Sequence, residues 1–298
     1  MCGLLLINKP EGITSFGAVA KIRKITGEKR VGHTGTLDPM ASGVLPVLLG
    51  RATKLCDYVM CADKSYVAKI RLGVATDSLD ITGNVTESKA VSVTDAEIDA
   101  VLSGFRGEIS QIPPMFNAVK RDGVRLYELA RKGKSLDIPA RRVNVFSVKR
   151  ISDIDENCEF GISCTVSKGT YIRSLCRDIG EALGVPAALS ALCRTKTAGF
   201  DISQCVPLES LSEENAKDYI LPACRAVADY RAVEVTRPQA FRFSNGGSLA
   251  FDRLPCGDFS DGEIVRVNYE NVFLGLAMAD TGCGELKFRC IINGLKGD

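Results

Sequence analysis

The segment from residue 160 to residue 184 constrains the fold most, because it predicts a strand, a turn and a helix in immediate succession. Phe160, Ile162, Cys164 and Val166 alternate with smaller or polar residues, as on a strand with one buried face. A turn at SKGT (167–170) follows. Apolar residues then recur at helical spacing up to Gly184, namely Ile172, Leu175, Cys176, Ile179 and Leu183. Strands and helices that intermix in this way predict an α/β or α+β core.

Other strands are predicted from the same kind of pattern. GLLLI (3–7) is typical of a buried strand, and NKPEG (8–12) of a turn. Residues 31–50 indicate an ordered, turn-rich loop that runs into an apolar segment. SYVAKIRLG (65–73) alternates cleanly, which predicts a half-buried strand whose inner face carries Tyr66, Ala68, Ile70 and Leu72.

Three further helices are indicated in the first half of the chain. Thr14 or Ser15 is a suitable cap for a helix that carries Phe16, Val19, Ala20 and Ile25. Thr94 and Glu97 match a capping box, so a helix is expected from there to near Gly104. A short helix is expected at about 125–132, stopped by Gly133.

The pattern changes after about residue 228. Short strand-like runs are separated there by Gly, Asn and Asp, and they are RAVEV, GSLAF, EIVRVNY, VFLGLAMA and LKFRCII. We therefore expect two domains, residues 1–228 and a small all-β module at 229–298.

Composition excludes several classes of protein. The 298 residues are 45% apolar and 25% charged, as in ordinary soluble domains. No apolar run approaches the roughly 20 residues that span a bilayer, and the N-terminus lacks the basic region of a signal peptide. The twelve cysteines contain no C-x-x-C, and there is one histidine. We expect reduced cysteines used as small core residues, no metal site and a cytoplasmic location.

Charge is concentrated locally, although the chain as a whole carries only +2. Residues 117–150 hold ten Lys or Arg against three acids, a net charge of +7. A second basic cluster consists of Lys21, Arg23, Lys24, Lys29 and Arg30. Such patches attract phosphate backbones, but a solvated basic face without a partner has the same composition, and charge alone leaves both open.

Four side chains are candidates for chemistry. Asp38, in GTLDPMASG, is also a common turn or cap residue before proline. Arg173 falls in the first turn of a predicted helix, where a cation opposes the helix dipole, so we expect an anion beside it; pairing with an aspartate would lower that carboxyl's pKa. Tyr66 is either a core tyrosine or a ring that stacks on an extruded base. His33, a possible base or RNA contact, precedes Asp38 by five residues.

The usual nucleotide, redox and metal motifs are missing from the sequence. There is no G-x-G-x-x-G after a strand, no G-x-x-x-x-G-K-[ST], no H-E-x-x-H and no calcium loop. We therefore expect a reaction without a cofactor.

Six stretches, in this order, resemble the TruB family of tRNA pseudouridine synthases. They are NKPEGITS (8–15), VGHTGTLDPMASGVLPVLLGRATK (31–54), KSYVAKIRLGVATDSLDITG (64–83), QIPPMFNAVKRDGVRLYELARKG (111–133), SKGTYIRSLCRDIGEALG (167–184) and LSALCRTKTAGF (189–200). The resemblance implies a pseudouridine-synthase core with a mixed sheet and helices over residues 1–228. It also implies a basic RNA-binding insertion at about 105–150 and a β-rich, PUA-like RNA-binding module at 229–298.

The resemblance also implies roles for single residues. Asp38 is similar to the family's nucleophile, Tyr66 to the tyrosine that stacks on the flipped uracil and helps remove the C5 proton, and Arg173 to the arginine paired with the aspartate. Implied substrate contacts are His33 in space vacated by T-loop bases, Tyr171 in the pocket, Leu192 closing it, and Lys120, Arg141 and Arg142. Lys9 and Pro10 look structural.

The implied activity is isomerisation of uridine 55 in the TΨC loop of tRNA, by base flipping and covalent catalysis. The aspartate attacks either the sugar or C6 of the base. The implied partner is the tRNA T-arm, bound by a monomer without an obligatory protein partner or membrane, and help with tRNA folding could coexist. Three alternatives stay open: a non-catalytic RNA-binding protein, a hydrolase using Cys and His33, and a guide-RNA-dependent synthase that needs partner proteins.

Overall fold

The computed structural model describes residues 1–60, 62–115 and 138–295, and the backbone alone at 120–121 and 124–125. The strands are β1 Gly3–Lys9, β2 Val31–His33, β3 Ala41–Leu49, β4 Lys64–Leu72, β5 Val74–Thr76, β6 Val85–Ser88, β7 Gly107–Gln111, β8 Lys120–Arg121, β9 Val124–Arg125, β10 Arg141–Arg150, β11 Glu159–Val166, β12 Ala187–Thr197, β13 Phe200–Asp201, β14 Val206–Pro207, β15 Ile220–Leu221, β16 Ala232–Glu234, β17 Leu249–Ala250, β18 Ile264–Tyr269, β19 Val272–Asp280 and β20 Glu285–Ile291. The α-helices are α1 Ser15–Thr26, α2 Cys56–Val59, α3 Asp95–Gly104, α4 Ile172–Ala182 and α5 Arg237–Ser244.

A large mixed sheet forms the core, in the order β14-β1-β3-β12-β4-β11-β10-β7. β12 runs parallel to β3 and antiparallel to β4, so it joins strands that are distant in the sequence. The predicted α/β class with a mixed sheet is confirmed.

Both faces of this sheet are buried near β1. Leu5 and Ile7 belong to one apolar cluster, and Leu4 and Leu6 to another on the opposite face. A strand covered on both sides reads as a continuous apolar run rather than an alternating one. This is why GLLLI lacks the alternation seen in β4.

Several predicted elements are confirmed. On β4, Tyr66, Ala68, Ile70 and Leu72 are buried while the residues between them are exposed. The strand, turn and helix of residues 160–184 are present as β11 and α4, and α3 begins with a complete capping box at Thr94 and Glu97.

Other expectations need correction. In α1 the buried apolar side chains are Ala18, Val19 and Ile22, whereas Phe16 and Ala20 are exposed. The segment 31–50 begins as strand β2 rather than as a loop, and its apolar part forms strand β3, buried along most of its length. The helix expected at about 125–132 lies outside the described residues.

The C-terminal module is a sheet in the order β16-β18-β19-β20-β17. It is not all β, because α5 crosses it, capped by Thr236 and Gln239 with a proline in the first turn. Phe273, Leu276 and Ile292 of this module pack with Leu4 and Leu48 of the main sheet. The module is therefore docked on the core through a shared apolar seam.

The described cysteines are all free thiols, of which Cys164, Cys176 and Cys290 are buried and Cys2 and Cys283 exposed. The part of the chain that the structure describes has no group of three or more potential metal ligands. It also has no helix long and apolar enough to cross a membrane.

Candidate active site

Asp38 lies in a tight turn that two neighbouring segments hold in place. The amide of Ala41 donates to the Asp38 carbonyl at 3.0 Å, which closes a β-turn with Pro39 at its second position. Ser15, at the start of α1, accepts from the Leu37 amide at 2.7 Å and donates to the Leu37 carbonyl at 3.0 Å. The Gly12 amide donates to the Pro39 carbonyl at 2.8 Å. The backbone on both sides of Asp38 is thus fixed.

Arg173 joins two carboxylates. Its Nε lies 3.0 Å from Asp38 Oδ2, and its Nη1 lies 3.5 Å from Asp80 Oδ2. The Arg173 and Asp80 side chains are each 6% exposed, whereas that of Asp38 is 36% exposed. Asp38 is therefore the carboxylate of the pair that an incoming molecule can reach.

Asp80 is itself held by its own loop. Its Oδ1 accepts hydrogen bonds from the Ser78 hydroxyl at 2.9 Å and from the Thr82 amide at 3.0 Å. Leu79 adopts a positive φ of 63°, which costs energy for a branched side chain. Leu189 of β12 clamps this turn, donating to the Leu79 carbonyl and accepting from the Ile81 amide. The strained turn aims Asp80 at Arg173.

Tyr66 and Arg194 face each other across the β4–β12 pair. Arg194 is 1% exposed, and its positive charge interacts with the Tyr66 hydroxyl. It also donates to three carbonyls, those of Val44 at 2.8 Å, Gly35 at 3.1 Å and Thr36 at 3.4 Å. Arg194 therefore ties the segment before Asp38 to the strand that carries Tyr66.

The backbones of Gly43 and Arg194 lie so close together that residue 43 has no room for a side chain. A Cβ on Gly43 would lie 2.2 Å from the Arg194 carbonyl oxygen, and Gly43 has a φ of +107°. Next to Arg194 on β12, Leu192 pairs with Ala41 of β3 and Ala68 of β4. Leu192 is buried in the same apolar cluster as Tyr66. The predicted pocket residue Leu192 thus lies between the Asp38 turn and the Tyr66 strand.

Burial raises the pKa of the Asp38 carboxyl above its ordinary value. Arg173 and Lys9 oppose the rise, and the negative charge of Asp80 adds to it. The expectation that Arg173 lowers the pKa of its aspartate is right for Arg173 alone but wrong for the sum, because removal from water outweighs the ion pair. Burial also raises the pKa of Tyr66, and Arg194 opposes that rise.

Lys9 and His33 flank the turn. Lys9 is fully buried, and its Nζ donates to the carbonyls of Pro10 at 2.7 Å and Ile13 at 2.8 Å. Burial lowers the pKa of Lys9 to about 8. His33 accepts a hydrogen bond from the Gly35 amide at Nδ1, and burial together with the Arg194 charge lowers its pKa, so the ring is neutral near pH 7.

The remaining predicted contacts lie on the β10 side. The Arg141 guanidinium stacks over the Tyr171 ring, 4.6 Å from its centroid, and Tyr171 directly precedes α4. Arg142 points elsewhere, since it is largely exposed and pairs with Glu108 at 2.6 Å. The side chain of Lys120 lies outside the described residues.

Asp80 and Arg194 were missed as site residues by sequence reasoning, although both fall within stretches quoted for the family resemblance. Asp80 sits in DSLDITG, which indicates only a turn, and Arg194 sits in a strand-like run with polar neighbours. No local pattern reveals that a charged residue is buried, because burial here comes from strands that are far apart in sequence. A buried charge needs partners, and those partners are visible only in three dimensions.

Comparisons with known proteins bear on this site. A family model described as "TruB family pseudouridylate synthase (N terminal domain)" matches residues 23–172, and one described as "tRNA pseudouridylate synthase B C-terminal domain" matches residues 173–227. A tRNA pseudouridine synthase B of Clostridium tetani is 43% identical over 277 residues, 93% of this chain and 95% of that protein. One of Staphylococcus saprophyticus is 46% identical over 225 residues, 74% of each chain.

A solved structure is also similar. It is titled "Structure of H/ACA RNP bound to a substrate RNA containing 2'-deoxyuridine", with a TM-score of 0.75, 25% identity and coverage of 98% of this chain and 85% of that chain. These matches confirm the resemblance that the sequence motifs indicate. The chain belongs to the TruB family of pseudouridylate synthases.

Proposed function

We propose that this protein isomerises uridine to pseudouridine at position 55 in the TΨC loop of tRNA, with Asp38 as the nucleophile. The observation that carries the proposal is the ion pair between Arg173 and Asp38, in which the arginine is buried and the carboxylate stays accessible. The relatives' name, tRNA pseudouridine synthase B, supports tRNA as the substrate.

The reaction breaks the N1–C1′ bond of uridine, turns the base and joins C5 to C1′. No electrons are gained or lost overall. C5 loses a proton and N1 gains one. A carboxylate can serve as a covalent nucleophile in such a step, at C1′ of the sugar or at C6 of the base. Arg173 orients Asp38 and favours its ionised form against the cost of burial.

Tyr66 and Leu192 are the side chains that we expect to keep the detached base in place. The ring of Tyr66 can stack on an extruded uracil, and Leu192 lies on the neighbouring strand. Because burial raises the pKa of Tyr66, its hydroxyl is protonated near neutral pH. A protonated hydroxyl can take the C5 proton only by passing its own proton on, and N1 of the uracil, which gains a proton in the reaction, is the acceptor that balances this step. A dry, confined site favours reattachment over loss of the base.

Thiol chemistry supports the synthase over a cysteine hydrolase. Burial raises the pKa of Cys56 to about 11 and those of Cys164 and Cys205 to about 12. A nucleophilic cysteine needs the opposite shift, because the thiolate is the reactive form.

The test is incubation of purified protein with an unmodified tRNA transcript and mapping of pseudouridine. We expect conversion at position 55 by wild type, and no conversion by Asp38→Asn, which should still bind tRNA. Asp218→Asn makes the same change at an exposed aspartate and should convert normally. Turnover by Asp38→Asn would remove the nucleophile assignment.

The same conversion assay tests whether the enzyme needs a protein or RNA partner. The proposal includes a monomer that works alone in the cytoplasm, with Tyr171, Arg141, Arg142, Lys120 and His33 contacting tRNA. We expect conversion without added protein or guide RNA. A strict requirement for either would instead place the chain with guide-dependent enzymes.

A further inference from the structure

The outer face of α1 carries charge and an aromatic ring that the proposed active site does not use. Residues 15–30 contain five basic side chains and one acid, Glu28. The Glu28 carboxylate is already paired with the N-terminal ammonium of Met1 at 2.8 Å. The positive charge of Lys21, Lys24, Lys29 and Arg30, all exposed, is therefore not balanced within this segment.

Phe16 is the most exposed large apolar side chain of the described residues, at 66%. The guanidinium of Arg23, two turns along α1, lies 5.8 Å from its ring centroid. An exposed aromatic ring beside cations is the combination with which proteins bind single-stranded nucleic acid, since bases stack on the ring and phosphates contact the cations.

Helix α1 is fastened at both ends to the segment that carries Asp38. At its start, Ser15 exchanges hydrogen bonds with the backbone of Leu37. Near its end, Arg23 Nη2 donates to the Val31 carbonyl at 3.1 Å, where β2 begins. Phe16 follows Ser15 directly, so its backbone adjoins the residue that holds the Asp38 turn. A strand that places one nucleotide at Asp38 brings neighbouring nucleotides to this face.

We propose that the outer face of α1, with Phe16, Lys21 and Lys24, binds the RNA strand next to the extruded uridine. Phe16 stacks on an unpaired base of the loop, and the two lysines contact phosphates. The occupant is RNA because the face combines positive charge that residues 15–30 do not themselves balance with a ring that is open to solvent. This inference rests on the proposed function and extends it to a surface outside the pocket.

The test measures binding of an unmodified tRNA transcript at several salt concentrations. We expect Phe16→Ala to raise Kd about tenfold, and Phe16→Tyr, which keeps the ring, to bind nearly as wild type does. Lys21→Gln with Lys24→Gln should lower the slope of log K against log salt by about two. Lys69→Gln removes one exposed charge from the face of β4 opposite Tyr66 and should leave the slope unchanged.

Thermal melts of each variant separate binding from folding. Wild-type affinity and salt slope in the Phe16→Ala and double lysine variants would overturn the inference, and so would a lowered Tm with unchanged affinity. If wild type makes no pseudouridine while these variants lose tRNA binding, the catalytic proposal fails and the surface stands. If wild type is active and the variants bind tRNA normally, the proposed RNA-binding face of α1 is wrong and the catalytic proposal stands.

Discussion

The surroundings of Asp38 and the C-terminal module bury different kinds of side chain. Around Asp38 four charged side chains are almost fully enclosed, Lys9, Asp80, Arg173 and Arg194. Between residues 229 and 295 the buried side chains are apolar, and ion pairs such as Lys287–Asp280 lie at the surface. The two regions belong to one folded chain, yet buried charges fix the first and buried apolar side chains stabilise the second.

Burial of a charge costs free energy unless partners replace the lost water. Arg173 and Arg194 find those partners in carboxylates and in backbone carbonyls of strand β3 and of the segments before Asp38 and Asp80, so they fix the geometry of these segments more than they add stability. The module instead gains stability from apolar contact. Removing a buried charge near Asp38 should therefore cost activity as well as stability, whereas removing apolar contact in the module should cost stability with little direct effect on activity.

The largest effect is expected for Arg173→Met. Without the cation Asp38 is neither oriented nor favoured as an ion, so the single-turnover rate should fall by at least about a thousandfold. Asp80 is then left buried without its partner, which should cost about 3–5 kcal/mol of unfolding free energy. Adding Asp80→Asn should restore much of the stability and none of the activity. Recovery of activity in the double variant would mean that Arg173 acts only on the fold.

A smaller but still large effect is expected at the seam between module and core. Leu276 is buried against the main sheet, whereas Leu274, two residues before it, is buried inside the module. Leu276→Ala should lower the unfolding free energy by about 2–5 kcal/mol. Leu274→Ala, the matched change inside the module, should lower it by a similar amount. Because the seam is shared, calorimetry should show one transition for the whole chain in both variants. Two separated transitions, with Leu276→Ala moving only the smaller, would make the module an independent unit.

The variants Arg194→Met and Lys287→Met compare the loss of a buried cation with the loss of an exposed one. Three carbonyls lose their donor, which should cost about 2–4 kcal/mol in urea unfolding. Lys287→Met, which breaks an exposed ion pair of the module, should be indistinguishable from wild type. Equal losses in the two variants would erase the contrast between the regions.

Local patterns predicted much of the fold. The alternation of β4, the strand-turn-helix of β11 and α4 and the capping box of α3 are all properties of neighbouring residues, so sequence shows them. Helix α5 carries the same kind of signal, a capping box at Thr236 and Gln239 with Pro238 in its first turn. The sequence prediction did not include this helix, because strand-like runs lie on both sides of it. The capping pattern is the stronger signal at this point of the chain.

The rest depends on long-range pairing. Insertion of β12 between β3 and β4 brings Arg194 beside Tyr66, and the Asp80 turn reaches Arg173 through its clamp to Leu189. Neither contact can be predicted from the spacing of residues in the sequence or from its composition. The turn at Asp38 could be predicted from Asp-Pro, but the raised pKa of its carboxyl follows from burial and from the nearby Asp80 charge, which only the folded structure shows.

The subtlest expected effect is a shift of pH dependence in Asp80→Asn. The negative charge of Asp80 raises the pKa of Asp38, and without that charge Asp38 no longer shares the Arg173 guanidinium with a second carboxylate. Both changes lower the pKa of Asp38. Activity needs the ionised carboxylate, so it is lost as pH falls through that pKa, and the acid limb of the single-turnover profile should move to lower pH. Asp77→Asn removes a charge from the same loop that does not contribute to the shift at Asp38, and it should leave the limb in place. A limb that moves to higher pH, or moves equally in both variants, would show that Asp80 does not act on Asp38 through its charge.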